Sequence, residues 1–186
     1  MHFTESEKRA LTEYIHLNLV ENIIQHKAWV CKNIVFHGGT SLHLAWRSPR
    51  FSEDVVFLVD EEKEDELVSV IKNAAKRLDA DMKVKYGGHI ELKEKKGPGS
   101  GSPMLVYSIK YSHPEKRGKI HVKAEFMKTT KYKLDLYDSV AKDMDSSDFD
   151  LTVKPFATVG TLKMLYIDKI LAVAARPYLK TRDFFD

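Results

Sequence analysis

The stretch from Phe36 to Asp60 constrains this chain more than any other. It reads FHGGTSLHLAWRSPRFSEDVVFLVD: an apolar strand enters a Gly-Gly-Thr-Ser turn, a short helical segment follows, and Ser-x-Asp leads into a second apolar strand. Glycines after a strand let the backbone approach a ligand closely. A helix that begins there directs free N–H groups and a positive dipole end at an anion. The pattern indicates a backbone cradle for phosphates beside a strand that begins with a carboxylate.

The turn itself is an ambiguous signal, because most Gly-Gly-Thr turns are only turns and helix caps. Asp54, at the start of the second strand, makes it more specific. Side chains at i and i+2 on a strand share a face, so carboxylates at 54 and 56 would converge on Mg²⁺ bridging a triphosphate. Position 56 is Val56 instead. The strand therefore offers one of the two expected metal ligands, and Val55 and Phe57 should face the core.

Glu125 is the candidate third carboxylate. In the stretch 119–126 apolar residues alternate with polar ones, which places Glu125 on the polar face of a strand, together with Lys119, His121 and Lys123. The alternative is a solvated sheet face with cross-strand charge pairs. Lys169, on the last predicted helix, could reach a β- or γ-phosphate. The charged residues around it, Asp168 included, are also explained by ordinary surface pairing.

A run of cations surrounds the predicted Glu125 strand, although the net charge of the whole chain is only +3. Tyr132 and Tyr137 lie nearby as stacking groups. A patch of this kind could bind a polyanion such as RNA, or it could be solvated surface. The cations are Lys116, Arg117, Lys119, Lys123, Lys128, Lys131 and Lys133.

The hydrophobic periodicity predicts an α+β domain in which helices pack on a mixed or mainly antiparallel sheet. Thr4 and Glu7 read as a capping box at the start of the first helix. The predicted helices cover residues 5–26, 40–46, 61–78, a turn within 137–144, and a last helix from Val159 to Pro177. The predicted strands cover 33–36 and 54–59, and an antiparallel meander of 82–93, 104–111 and 119–127.

Composition limits the function classes. The chain has 186 residues, 43% hydrophobic and 31% charged, which suits one globular domain, or one with a fragment of a second. No apolar run approaches the roughly 18 residues that cross a membrane. The N-terminus is too charged for a secretory signal. Cys31 is the only cysteine, which excludes an intrachain disulfide and a cysteine-based zinc site, and we expect a cytoplasmic protein.

Taken together, GGTS, RFSEDVVF, LYIDKILA and TRDFFD resemble the AbiEii-type (MenT-like) nucleotidyltransferase toxins of the DNA polymerase β nucleotidyltransferase superfamily. The resemblance runs from about residue 34 to the C-terminus. It implies a polymerase-β-like fold, with a mixed, largely antiparallel sheet flanked by helices. It also implies Mg²⁺-dependent transfer of NMP from NTP to an RNA acceptor, which is tRNA in the best understood members, and an antitoxin protein as partner.

The resemblance implies a role for each matching position. The turn would hold the triphosphate, Arg50 and Ser52 would support it, and Asp54 would bind Mg²⁺. Glu125 would be a third metal-binding carboxylate or the general base for the acceptor hydroxyl. The remaining residues are Gly38, Gly39, Thr40 and Ser41 of the turn, Lys169 as a phosphate contact, and Asp183 at the base of the site.

Two departures from the family pattern matter. Val56 replaces the second metal-binding Asp, and a valine offers no lone pair. The family also continues into a helical bundle. We therefore expect residues 1–160 to form the core domain and 161–186 a helical element that packs on it, as the start of a truncated C-terminal domain. Three readings stay open: a transferase weakened by Val56, a catalytically inactive nucleotide- or RNA-binding module that acts through a partner, and a plain domain whose turn is structural.

Overall fold

A computed structural model describes residues 1–26, 33–95, 103–146 and 155–174. The helices are α1 (Glu5–Ile24), α2 (Gly38–Trp46), α3 (Glu64–Tyr86, after a 3₁₀ turn at Glu61–Lys63), α4 (Lys131–Leu136) and α5 (Leu162–Ala174). The strands are β1 (Ile34–His37), β2 (Asp54–Asp60), β3 (His89–Lys95), β4 (Met104–Ser112), β5 (Ile120–Thr129), β6 (Ser139–Asp143) and β7 (Phe156–Gly160).

The strands form one seven-stranded sheet in the order β3-β4-β5-β2-β1-β7-β6. β2 pairs with β5 in parallel, and so does β1 with β7, while the other neighbours are antiparallel. The predicted α+β class, with a mixed, largely antiparallel sheet, is confirmed. β2 and β5 lie side by side near the middle of the sheet, so the strand that begins with Asp54 is next to the strand that carries Glu125.

One face of the sheet forms the main core with α1 and α3. Val55 and Phe57 of β2 are buried there, as predicted, and the Phe57 ring stacks on Phe126 with centroids 5.2 Å apart. The alternation of β2 leaves Asp54 and Val56 on the opposite side, which we call the open face. The open face is where β2 and β5 can present polar groups to a ligand.

The first helix begins as predicted. The Thr4 hydroxyl accepts a hydrogen bond from the Glu7 amide at 3.2 Å, and the Glu7 carboxylate accepts one from the Thr4 amide at 2.9 Å. This reciprocal pair is the capping box.

The predicted strand over 82–93 is wrong at its start. α3 continues to Tyr86, Gly87 caps it with a positive φ of 68°, and β3 begins only at His89. Met82 is fully buried four residues after Leu78, so it belongs to the apolar stripe of the helix. The alternation of Met82, Val84 and Tyr86 has the two-residue period of a strand, but these residues continue the helix, as the burial of Met82 and the 87% exposure of Val84 show.

The predicted helical turn within 137–144 and the helix start at Val159 are also wrong. The segment Ser139–Asp143 is β6, and it pairs with β7, which occupies Phe156–Gly160. α5 therefore starts after the strand, at Leu162. Strand formation here depends on partners distant in sequence, which local patterns do not reveal.

Some predictions lie outside the described residues, namely those on Cys31, Pro177 and Asp183. The division into 1–160 and 161–186 stays a prediction. Among the helices of the described ranges, none combines the length and the apolar character that a membrane crossing requires.

Candidate nucleotide site

The Gly-Gly-Thr-Ser turn joins β1 to α2 at the edge of the open face. Gly38 has a φ of 81°, a left-handed conformation that favours glycine, and it is the first residue of α2. His37, at the N-cap, makes no side-chain hydrogen bond to the first turn of the helix. A Cβ on Gly38 would lie 3.3 Å from Val56 Cγ2. The turn therefore lies directly beside the second position of the β2 motif.

The loop of residues 47–53 packs against the same turn. A Cβ on Gly39 would lie 2.9 Å from the Ser52 hydroxyl oxygen. Cβ atoms in proteins essentially never come this close to an atom that is not bonded to them. Gly39 is thus required for the close contact between turn and loop. Arg50 lies half-buried in the same loop, two residues before Ser52, and the structure brings Gly38, Gly39 and Ser52 into one region.

Thr40 and Ser41 use their hydroxyls within the protein. Both side chains are buried. The Thr40 hydroxyl donates a hydrogen bond to the Asp54 carbonyl, and the Ser41 hydroxyl donates to the Gly38 carbonyl at 2.8 Å. These contacts fix the turn to the first residue of β2. In this arrangement the groups that the turn can offer to an anion are its backbone amides.

A buried histidine and a half-buried one anchor loop 47–53. His16 Nε2–H of α1 donates to the Glu53 carbonyl at 3.1 Å, and burial lowers the pKa of His16 to about 4, despite that hydrogen bond. His43 Nδ1–H of α2 donates to the Ser48 carbonyl at 2.8 Å. The hydrogen bond between His43 and Glu13, at 3.4 Å, raises the His43 pKa. The loop that leads into Asp54 is therefore held at both ends.

Asp54 and Glu125 come together as the sequence predicts, with a cation between them. In the parallel pairing of β2 and β5, Asp54 is in register with Lys123 and Val56 with Glu125. The Lys123 ammonium lies 3.1 Å from Asp54 Oδ2 and 2.6 Å from Glu125 Oε1. Burial lowers the Lys123 pKa, but the hydrogen bonds to Glu125 and Asp54 outweigh it and the pKa is raised. The lysine is an ammonium shared by two carboxylates.

These donors do not fit a divalent metal centre as they stand. Val56 supplies no ligand, and both remaining carboxylates are hydrogen-bonded to Lys123. Among the described residues there is no group of three or more His, Cys, Asp or Glu side chains placed to hold a metal ion. A two-metal transfer site needs carboxylate oxygens that bridge the cations to the phosphates. The pair of Asp54 and Glu125 is therefore present, but the full ligand set is not.

Three further residues at the site were not assigned to it from the sequence. His37 is in register with Val56 across β1 and β2, and its Nδ1 lies 3.8 Å from Asp168 Oδ2. The Tyr137 hydroxyl donates to the same oxygen at 2.5 Å. Burial lowers the His37 pKa to about 4, although Asp168 opposes this, so the imidazole is neutral. The position of His37 next to Gly38 was the signal that could have revealed it.

Tyr137 corrects an expectation. It is buried and hydrogen-bonded to Asp168, so it is no stacking group for RNA, whereas Tyr132 is 72% exposed. The Tyr137–Asp168 hydrogen bond attaches α4 to α5, and Lys169 follows Asp168 on α5, half-buried. The contact of Lys169 with a phosphate stays a prediction, and Asp183 lies beyond the residues described.

The predicted basic patch is not a single surface. Its lysines pair with carboxylates of different elements: Lys116 with Glu7, Lys119 with Glu91, Lys123 with Asp54 and Glu125, Lys128 with Glu64, and Lys131 with Asp135. Alternation along β5 sends Lys123 to the open face and Lys128 to the other. The open face instead gains Lys95 and Lys110 from β3 and β4, in register with Val106 and His121.

Comparisons with known proteins agree with the fold and the motifs. The family model described as nucleotidyl transferase AbiEii toxin, type IV TA system, matches residues 28–186. The crystal structure of JHP933 from Helicobacter pylori superposes with a TM-score of 0.61 at 19% identity, covering 99% of this chain and 65% of that one. MenT4, a nucleotidyltransferase toxin from Mycobacterium tuberculosis, superposes with a TM-score of 0.64 at 20% identity, covering 99% and 59%.

At these identities the structural likeness shows the fold alone, and the chain spans less than two-thirds of the length of either protein. No curated protein sequence matches it. The family model, in contrast, matches most of the chain and includes the turn, the Asp54 strand and Lys169. The chain therefore belongs to the AbiEii nucleotidyl transferase toxin family, on a fold that it shares with nucleotidyltransferase toxins.

Proposed function

We propose that this chain is a nucleotidyltransferase of the toxin–antitoxin type, which transfers NMP from NTP to an RNA acceptor, with tRNA as the first candidate. The supporting observation is the convergence of the glycine turn with Asp54 and Glu125 on the neighbouring strands β2 and β5, where Glu125 is in register with Val56, two residues after Asp54. A phosphate cradle and carboxylates at one place are groups that nucleotidyl transfer uses, to bind the triphosphate and to accept the proton of the acceptor hydroxyl. A cognate antitoxin protein would be the partner that controls it.

The proposed roles follow from position. The backbone amides at Gly38 and Gly39 bind the triphosphate, and Lys169 approaches it from α5. Ser52, which contacts Gly39, and Arg50, in the same loop, support the bound triphosphate. Glu125, half-buried and hydrogen-bonded to Lys123, accepts the proton of the acceptor hydroxyl in this proposal.

In this family a divalent cation, proposed as Mg²⁺, would stabilise charge on the phosphates. We assign it no step in this chain, because Asp54 and Glu125 are hydrogen-bonded to Lys123 and Val56 offers no lone pair. Losing one ligand of such a site costs several kcal/mol of transition-state stabilisation, or orders of magnitude in rate. We therefore expect slow transfer.

A second candidate is a catalytically inactive module that keeps the nucleotide or RNA surface and acts through a partner protein. Val56 and the Lys123 ion pairs favour it, because they remove metal ligands without disturbing the fold.

The deciding experiment compares this chain with its Val56→Asp and Val56→Asn forms. Each is incubated with Mg²⁺, one labelled NTP at a time and total tRNA. Label on RNA that appears or rises strongly with Val56→Asp, but not with the neutral Val56→Asn control, supports a transferase limited by position 56. Equal transfer by the unmodified chain would show that Val56 is not limiting.

Label with none of the three forms would contradict transfer to tRNA and favour the binding module. Nucleotide-dependent thermal stabilisation then separates that module from a plain structural domain, because a ligand that binds only the folded state raises its melting temperature.

A further inference from the structure

Lys123 lies where a metal-dependent site would hold its cation. It faces Asp54 across the β2–β5 pair, and it precedes Glu125 by two residues, so all three side chains share the open face. We propose that the Lys123 ammonium takes the place of a divalent cation in this chain, so that NTP binds equally well with and without such a cation. The proposal rests on the nucleotide site proposed above.

The contacts favour the lysine over a metal ion. Lys123 Nζ is 2.6 Å from Glu125 Oε1 and 3.1 Å from Asp54 Oδ2, and both are charge-assisted hydrogen bonds. The Lys123 side chain is 32% exposed and that of Glu125 is 21% exposed, so water screens these charges only in part. A divalent cation would have to break both hydrogen bonds and remain beside the displaced ammonium.

Val56 completes the argument. Within the described part of the chain, a cation that displaced Lys123 would find no third carboxylate, because the residue in register with Glu125 is a valine whose Cγ2 faces the turn. The local charge also fits the lysine. Two carboxylates and one ammonium leave one negative charge beside the triphosphate cradle, whereas an aspartate at position 56 would leave two. The combination of valine and lysine reduces the repulsion that a metal ion would otherwise have to cancel.

The first test measures Mn²⁺ binding by electron paramagnetic resonance, without nucleotide. We expect weak Mn²⁺ binding by the unmodified chain and binding about tenfold tighter by Lys123→Met, which frees both carboxylates and keeps a side chain of similar length. Lys119→Met is the matched control, because Lys119 precedes the same strand and pairs with Glu91 instead, at 3.5 Å. It should bind Mn²⁺ as the unmodified chain does. Tight Mn²⁺ binding by the unmodified chain would overturn the proposal.

The second test measures the Kd of each NTP in EDTA and in Mg²⁺. For the unmodified chain the two values should agree within about threefold, since the ammonium already neutralises one carboxylate. Lys123→Met should bind about tenfold more weakly in EDTA, with Mg²⁺ restoring affinity. Lys123→Gln, which keeps an N–H donor without the charge, should show the same dependence on Mg²⁺. It serves as the test variant should circular dichroism show that Lys123→Met is unfolded.

Two results would contradict the inference: NTP binding by the unmodified chain that requires Mg²⁺, or a Lys123→Met form that binds as tightly in EDTA as the unmodified chain. If no NTP binds under either condition, the proposed nucleotide site fails. The Mn²⁺ comparison still decides whether Lys123 excludes a divalent cation, so the two failures are distinguishable.

Discussion

His16 shows how one buried side chain makes the site sensitive to acid. It is fully buried in α1, donates to the Glu53 carbonyl and stacks against Phe51 at 6.1 Å between ring centroids. Its pKa of about 4 lies below the ordinary 6.5, so between these values the unfolded chain binds a proton that the folded chain does not. By linkage, the free energy of unfolding must fall as pH falls through this window.

We therefore expect acidification from pH 7 to pH 5 to remove about 2 kcal/mol of stability through His16 alone. Urea unfolding at the two pH values, for the unmodified chain and for His16→Gln, measures it. Glutamine does not titrate, so the variant, although less stable at pH 7, should lose less on acidification by this amount. Parallel losses in both proteins would refute the assignment.

Tyr137 offers a second test at this scale. Its buried hydroxyl donates to Asp168 at 2.5 Å, which attaches α5 to α4. Tyr137→Phe removes that bond to a charged acceptor and should lower the free energy of unfolding by about 1.5–3 kcal/mol. Tyr132→Phe, at a ring that is 72% exposed, should change it by less than about 0.5 kcal/mol. Equal effects of the two substitutions in chemical denaturation would show that the bond contributes nothing.

The residues that could be predicted from the sequence are those with a local pattern. Asp54 begins a strand, and Glu125 occupies a polar position in a strand whose polar and apolar residues alternate. The structure places both carboxylates against Lys123. Tyr137 and Asp168 carry no such pattern, because their partnership depends on α4 and α5 meeting across the open face. From the sequence alone, a tyrosine in a polar stretch is equally consistent with an exposed surface residue.

At the scale of elements, the contact between the glycine turn and loop 47–53 is the one most open to testing. Gly39→Ala would place a Cβ 2.9 Å from the Ser52 hydroxyl oxygen and 3.1 Å from its Cβ. We expect a loss of about 1–3 kcal/mol from this overpacking. Ser52→Gly removes both atoms, so the double variant should recover at least about 1 kcal/mol of that loss in denaturation experiments. Additive losses would show that the two residues do not touch.

Elements whose signals are local were predictable, and those that depend on distant partners were not. The capping box of α1 and the apolar run of β2 each depend on residues that are close together in the sequence. β6 and β7 are stabilised by pairing with each other and by β1, far away in sequence, so their residues read as coil or helix. At the end of α3 two periods fit the same residues, and burial of Met82 decides in favour of the helix.

At the scale of the whole molecule, the distribution of charge predicts where RNA would lie. Lys95 and Lys110 share the open face with Asp54 and Glu125. Burial is the main cause that lowers the pKa of His121, and the positive charges of Lys95 and Lys110 lower it further. If the acceptor crosses this face, Lys95→Gln/Lys110→Gln should weaken RNA binding and reduce the slope of log K against log salt by about 1.4, or 0.7 per lost phosphate contact.

Fluorescence anisotropy with a labelled tRNA across a salt series measures that slope. Lys72→Gln/Lys76→Gln, at exposed positions of α3 on the other side of the sheet, is the control with the same change of net charge. A control that weakens RNA binding as much as the open-face variant would show a general charge effect and no defined surface.

The pairing of β1 with β7 has a consequence for the order of events during synthesis. Phe36 and Val159 are partners, so the strand that leads into the glycine turn stays without one of its neighbours until most of the chain exists. At 5–20 residues per second the ribosome needs on the order of ten seconds to make the intervening segment. Lys169, the proposed phosphate contact, follows β7, so it can join the proposed site only then. A nascent or prematurely terminated chain would therefore lack one half of the proposed site.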